Sequence, residues 1–461
     1  MNFLNKSRRI LLVCNDVVGP NMTGPAIRYW EFARVLSRYF RVTLAIPPFV
    51  ATDSAPEALN PEFEVSLCKT QAELQALTFQ AQVIITVGAN LSIYPFLRQA
   101  GKPLVVDMYI PFMLEDLQKY ADRSLTDRNI FHRASRGAHT LQIRSADFII
   151  CASEKQKDFW LGWLSALGRV NPYTVHDDPT LAKLIDVVPF GLPHDAPVHR
   201  QQVVKGVYKS INPADKVILW GGGIWNWLDP YTLIKAMASI SAAHPEIKLL
   251  FMGVKSPNSG SAKMEAAAKA IKLSQELGLY DRQVFFNDWA AYQERENYLL
   301  EADIGASLHL NHIETRFSFR TRFLDYIWAG LPILTTAGDI ISDEVARWGL
   351  GKVVKNGDAE QVSQVLVELL TTPNLRPQYQ PCFERVRASY EWETVMAPLI
   401  KFCEAPYLAA DKDHLKRITL VEAGTAAWWS LPGKIWQIMR NYGPQKLIPK
   451  AKEYLQWKLQ K

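Results

Sequence analysis

Apolar residues along this chain fall into short runs of strand length, separated by longer stretches in which they recur with helical spacing. The runs lie at residues 10–14, 42–46, 83–87, 104–107 and 148–151 in the first part, and at 217–220, 248–253, 284–286, 304–308 and 333–336 in the second. A short continuous apolar run is the pattern of a strand buried on both faces, and its alternation with helices predicts parallel sheets covered on both sides. After the first run comes a loop with Gly19, Pro20 and Gly24. Pro25 then opens a helix, followed by Ile27, Trp30, Phe32, Ala33 and Leu36. Residues 321–329 carry a second clear helical pattern, stopped by Gly330 and Pro332.

Two such α/β domains and a tail fit 461 residues, and 48% hydrophobic with 21% charged residues is the composition of a folded chain. The five cysteines are scattered, with no C-x-x-C pair. Cys14 and Cys151 sit in strand-like runs as small core residues, which predicts a reducing compartment and no structural zinc. No apolar run reaches membrane-span length, so a cytoplasmic protein is expected, at most peripheral on the inner face of a membrane. The net charge of +6 equals the excess of residues 411–461, where ten Lys and Arg face four Asp and Glu. The main domains are therefore neutral, which argues against nucleic acid as a partner.

Candidate chemistry collects where strands end. Gly221, Gly222 and Gly223 follow the strand at 217–220 and precede a helix, so their amides can approach a phosphate, with Trp225 beside them to stack on a ring. The polar segment after 304–308 carries Glu314, Arg316, Ser318, Arg320 and Arg322, and guanidinium groups at a helix start suit phosphate oxygens. Asp325 lies one turn beyond Arg322, where a carboxylate can accept hydrogen bonds from sugar hydroxyls. In the first half, Asp107 ends a strand, in a catalytic position or as a cap of the next helix. Gly24 and Arg28 lie at the first loop, where Arg28 is either a functional or a solvated side chain. Residues 119–144 read as an amphipathic helix with a basic outer face, solvated or turned to an anionic acceptor or membrane.

The run from Ser318 through Arg322, Asp325 and Tyr326 to Ala329-Gly330-Leu331-Pro332 resembles the donor motif of family 4 glycosyltransferases of the GT-B fold. The resemblance covers most of residues 10–402. It implies two Rossmann-like domains facing across a cleft, with an acceptor-side domain at 1–195, a linker at 196–215 and a donor domain at 216–383. A closing helix at 384–408 would cross back to the first domain, ahead of a tail at 409–461. It further implies transfer of a sugar from a nucleoside-diphosphate sugar to a saccharide or lipid-linked acceptor, with retention and without a metal. Arg322 would lie near the diphosphate, Asp325 at the ribose, and Glu314 and Asp107 near the transferred sugar. Two family positions depart: Gly223 and Leu228 stand where many members have arginine and lysine. The rival readings are a nucleotide-sugar epimerase of the same fold and a non-catalytic scaffold at the membrane. The tail interleaves its cations with Trp428, Trp429, Trp436 and Trp457, a composition suited to an anionic membrane surface or to packing on the protein itself.

Overall fold

The computed structural model describes residues 7–255 and 265–415. They form two compact units, one from the residues up to Val188 together with those from Met396, the other from Pro189–Val395. The first unit holds β1 (Arg9–Val13), β2 (Arg41–Ile46), β3 (Glu64–Leu67), β4 (Val83–Val87), β5 (Leu104–Asp107), β6 (Phe148–Cys151) and β7 (Ile185–Val187). They form one parallel sheet in the order β3-β2-β1-β4-β5-β6-β7. The second unit holds β8 (Lys216–Gly223), β9 (Ile247–Gly253), β10 (Val284–Phe286), β11 (Ile304–Ser307), β12 (Ile333–Thr336) and β13 (Gly351–Val354). Their order, again parallel throughout, is β10-β9-β8-β11-β12-β13. The fold is the expected α/β architecture of two Rossmann-like units.

The central strands account for the apolar runs in the sequence: every residue of β4 and of β9 is buried, as a parallel strand covered by helices on both faces requires. The edge strands β3 and β13 show no such run, because they are mostly half-buried and carry Glu64, Ser66 and Lys352. Residues 198–205, expected within the linker, belong to the second unit and are held there by one helix. Glu296 and Asn297 of Arg295–Glu301 accept from the amides of Val198 and Arg200 at 3.0 and 2.8 Å. Glu301 accepts from those of Val203, Val204 and Lys205 at 2.7–2.9 Å. The single closing helix expected at 384–408 is broken into Leu375–Arg387, Trp392–Val395 and Ala397–Glu404.

In each sheet the chain first adds strands on one side of its leading strand and then on the other, so the crossover connections part between β1 and β4 and between β8 and β11. Ligands of open α/β sheets bind beyond the strand ends at such points. Asn90 bridges the first, its Nδ2 donating to the Val13 carbonyl at 3.1 Å and to Thr86 Oγ1 at 3.1 Å. Tyr326, on the helix Arg322–Ala329, occupies the second. β8 and β11 pair only at Ile218–Ile304 and Leu219–Gly305. Beyond that pairing the Tyr326 hydroxyl accepts from the Gly221 amide at 2.7 Å and lies 3.0 and 2.9 Å from the carbonyls of Leu219 and Ala306. A Cβ on Gly305 would come within 2.6 Å of the Tyr326 ring, so glycine there admits the ring.

Tyr326→Phe leaves a buried amide and two carbonyls without this partner and should lower stability by about 1–3 kcal/mol. Gly305→Ala should be at least as damaging, because its clash is with a ring packed in the core. Equilibrium urea unfolding of both variants measures this; unchanged midpoints would remove Tyr326 as the sheet's anchor.

Candidate functional site

In the first unit, Gly24 is the first residue of the helix Gly24–Leu36. Arg28, one turn in, is fully buried, so its solvated reading is set aside. Arg28 Nε and Nη2 donate to the two oxygens of Asp107 at 2.6 and 3.0 Å, and Nη2 also donates to the Val188 carbonyl at 2.7 Å. The guanidinium carbon lies 4.5 Å from the Phe32 ring centre and 4.7 Å from that of Tyr109. Burial pushes the Asp107 carboxyl up and Arg28 opposes it. Asp107 does not cap the following helix, Phe112–Lys119, whose N-cap is Pro111; it accepts instead from the Tyr109 amide at 3.3 Å. Two of the three first-unit candidates, Arg28 and Asp107, are thus one buried ion pair joining the first helix to the end of β5.

The second unit brings together the glycine turn and the helix Arg322–Ala329. Gly222 has φ +79°, and a Cβ on Gly223 would meet the Trp225 ring at 2.8 Å. Trp225 stacks on Trp227 at 5.8 Å with 13° between the planes, both half-buried. Arg322 reaches this turn: Nη2 donates to the Gly223 carbonyl at 2.8 Å, and the guanidinium lies 5.0 Å over the Trp220 ring. Its Nη1 is buried and has no hydrogen-bond partner among the described residues. Burial and the neighbouring Arg320 draw the Arg322 pKa down to about 10, so at neutral pH it remains a cation whose environment favours an anion. Asp325 follows on the same face with its side chain 32% exposed, and Oδ1 accepts from Arg295 Nε at 3.1 Å.

The other arginines of the motif are placed differently. Arg320 is buried and donates from Nη1 and Nη2 to the two oxygens of Glu314 at 2.8 and 2.7 Å. Glu314 sits on the short helix Ile313–Phe317, within the segment expected as loop. Arg316 is exposed, 5.6 Å over Phe317, and the buried Ser318 donates from its hydroxyl to the Thr315 carbonyl at 3.0 Å. Asp339 lies with its Oδ2 4.0 Å from Arg320 Nε and accepts from His309 Nε2 at 3.0 Å; His309 Nδ1 is 2.8 Å from Thr336 Oγ1. Burial raises the Asp339 carboxyl, but the His309 hydrogen bond and the charges of His309 and Arg320 outweigh it, leaving it below the usual carboxylate value. Ser307 Oγ and Arg320 Nε, both buried, likewise have no hydrogen-bond partner among the described residues. His309 and Arg295 were not singled out in the sequence. His309 has a strand-end signal, two residues after Ser307 ends β11; Arg295 is thirty residues from Asp325, which it joins, and has none.

The basic segment at 119–144 forms Phe112–Lys119 and Leu125–Ser145 rather than one helix. Arg133 and Arg136 are exposed. His139 points inward, stacked 3.7 Å from Phe112, and burial pushes its pKa down to about 4. Among the described residues no helix is long and apolar enough to cross a membrane. The expectation for the tail lies outside the described residues from 416 on.

Arg28→Met strands the Asp107 carboxylate in the core and should cost about 3–5 kcal/mol, whereas Arg28→Met with Asp107→Leu should recover much of that loss. Urea unfolding of the single and double variants measures the coupling; additive losses would show that the two groups do not act as a pair.

Residues 209–381 match the family Glycosyl transferases group 1. No curated protein matches the sequence. Solved structures with the same fold include a sucrose-phosphate synthase from Thermosynechococcus elongatus, with 16% identity and a TM-score of 0.59 over 87% of this chain and 100% of that one. WaaG, a glycosyltransferase involved in lipopolysaccharide biosynthesis, has 16% identity and a TM-score of 0.59 over 86% of this chain and 100% of its own. HepE of Anabaena, in complex with UDP-glucose, has 15% identity and a TM-score of 0.62 over 86% and 99%. The family match lies on the unit that holds Arg322 and Asp325, and the fold is that of the GT-B glycosyltransferase structures.

Proposed function

We propose that the second unit binds a nucleoside-diphosphate sugar, with UDP as the nucleotide, and that the sugar passes to a saccharide or lipid-linked acceptor with retention and without a metal. The observation that carries this reading is Arg322, a cation with a buried, unpartnered nitrogen set against the glycine turn at the end of β8. A diphosphate oxygen there would accept from Nη1. When the bond between the anomeric carbon and the phosphate oxygen breaks, its electrons stay on the diphosphate. Arg322 stabilises that charge in the role a metal ion has elsewhere. UDP as the nucleotide is supported by HepE of Anabaena, which was solved with UDP and with UDP-glucose. In this reading Arg322 supplies the charge that the family arginine and lysine would supply at Gly223 and Leu228.

Arg320 and Glu314 hold each other, and Asp339 with His309 closes the same array, so these four fix the wall of the sugar site rather than grip phosphate. Asp325 takes the ribose hydroxyls. Asp107 and Arg28 shape the first unit's loops, with Gly24 at the start of the first helix. The acceptor class and a peripheral membrane position rest on the basic, aromatic composition of residues 411–461.

Thermal shift against UDP, GDP, dTDP, ADP and their sugar conjugates should show stabilisation by UDP and a UDP-sugar, about 2.7 kcal/mol at one hundred times the dissociation constant. Arg322→Ala should weaken that binding by about tenfold or more, the loss of a hydrogen bond between charged groups. A full shift retained by Arg322→Ala would overturn the assignment of the diphosphate to this side chain.

Turnover of the UDP-sugar should be unchanged by EDTA, and NMR of the product should show the anomeric configuration of the donor. Loss of turnover in EDTA that magnesium or manganese restores would sink the metal-free reading, and an inverted product the retaining one.

A further inference from the structure

Asp325 has one methylene fewer than a glutamate, so its reach and direction depend on what holds it. Arg295 does so from another element, at the start of the helix Arg295–Glu301. Its guanidinium carbon lies 3.9 Å from the Tyr292 ring centre and 4.7 Å from that of Trp328. Its Nη1 donates to the Tyr292 carbonyl at 2.7 Å, and its Nε to Asp325 Oδ1 at 3.1 Å. Trp328 is itself fixed, donating from Nε1 to the Asp195 carbonyl at 2.7 Å. A planar cation set against two rings has few orientations, so the Nε–H direction is defined before any ligand arrives. The Arg295 side chain is 12% exposed and that of Asp325 32%. The partner most open to a ligand is therefore the carboxylate.

We propose that Arg295 is a positioning residue for the donor nucleotide. By engaging Asp325 Oδ1 it keeps this short carboxylate ionised and turned so that Oδ2 accepts from the ribose hydroxyls, and Arg295 itself touches no ligand. This rests on the reading of Asp325 as the ribose contact. Desolvation pushes the Asp325 carboxyl up and Arg295 opposes that push, the sign required of a group that keeps it charged. A carboxylate offers only acceptors, and two vicinal hydroxyls offer donors; a protonated or rotated Asp325 would lose that match.

A structural role and a positioning role separate on a ligand pair that differs only at the ribose. Dissociation constants for UDP and for 2′,3′-dideoxyuridine 5′-diphosphate are measured by calorimetry on the full chain, for the wild type and for Arg295→Met, Arg295→Lys, Asp325→Asn and the double variant Arg295→Met/Asp325→Asn. The wild type should prefer UDP by about tenfold or more. That preference should collapse towards one in Arg295→Met and in Asp325→Asn, with no further loss in the double variant. Arg295→Lys, which keeps the charge without the planar fork, should retain part of it, and it carries the test if Arg295→Met fails to fold. Equal weakening of both ligands, with the preference intact in the Arg295 variants, overturns the proposal alone. A wild type that binds UDP without preferring it, or does not bind UDP, overturns the parent reading and this one together.

Discussion

The second unit depends on a phenol hydroxyl placed where two parallel strands part. β8 and β11 share only two paired positions, and beyond them their backbone groups would face each other across a gap in a water-free core. Tyr326 fills that gap with its hydroxyl against Gly221, Leu219 and Ala306, and Gly305 admits its ring. The burial pushes its phenol pKa up to about 12, so it stays neutral and able both to donate and to accept. Because Arg322 and Asp325 precede it by four and one residues on the same helix, docking Tyr326 sets where both point. Arg322 reaches back to the Gly223 carbonyl and Asp325 meets Arg295. The side chains of the site are therefore registered to the sheet through Tyr326.

The parts of this arrangement that were legible in the sequence are those written in short range. β4 and β9 are buried along their whole length, so they read as continuous apolar runs. The helix Arg322–Ala329 ends at Gly330 with φ +61°, the stop that a glycine followed by Leu331-Pro332 announces. What was not legible depends on pairing at long range. Nothing near Arg28 says that Asp107, seventy-nine residues on, will take its guanidinium. Nothing near Asp325 points to Arg295. Glu314 and Arg320 are only six residues apart, yet a polar segment gives no sign that their side chains turn towards each other and bury. The edge strands β3 and β13 failed for a different reason: they are half-solvated, so hydrophobic patterning had no purchase on them.

Burial sorts the arginines by their partners. A guanidinium out of water needs a carboxylate, a ring face or several carbonyls, and each arginine in the two units finds a different mixture. Arg28 has Asp107, a carbonyl and two rings. Arg320 has both oxygens of Glu314. Arg295 has Asp325, a carbonyl and two rings. Arg322 has a ring and one carbonyl, with Asp325 on the same helix engaged by Arg295. It is the member of this set whose buried Nη1 is left over and whose pKa falls to about 10. A second cation nearby, Arg320, adds to that cost and is not relieved by Glu314, which Arg320 already occupies. Arg320 also keeps a buried Nε without a hydrogen bond, but that nitrogen lies 4.0 Å from the Asp339 carboxylate; the leftover donor beside the glycine turn is Arg322 Nη1, and an anion placed there gains both the hydrogen bond and the relief of the repulsion between the two arginines. Positive charge at the end of β8 thus comes from the helix rather than from the glycine turn.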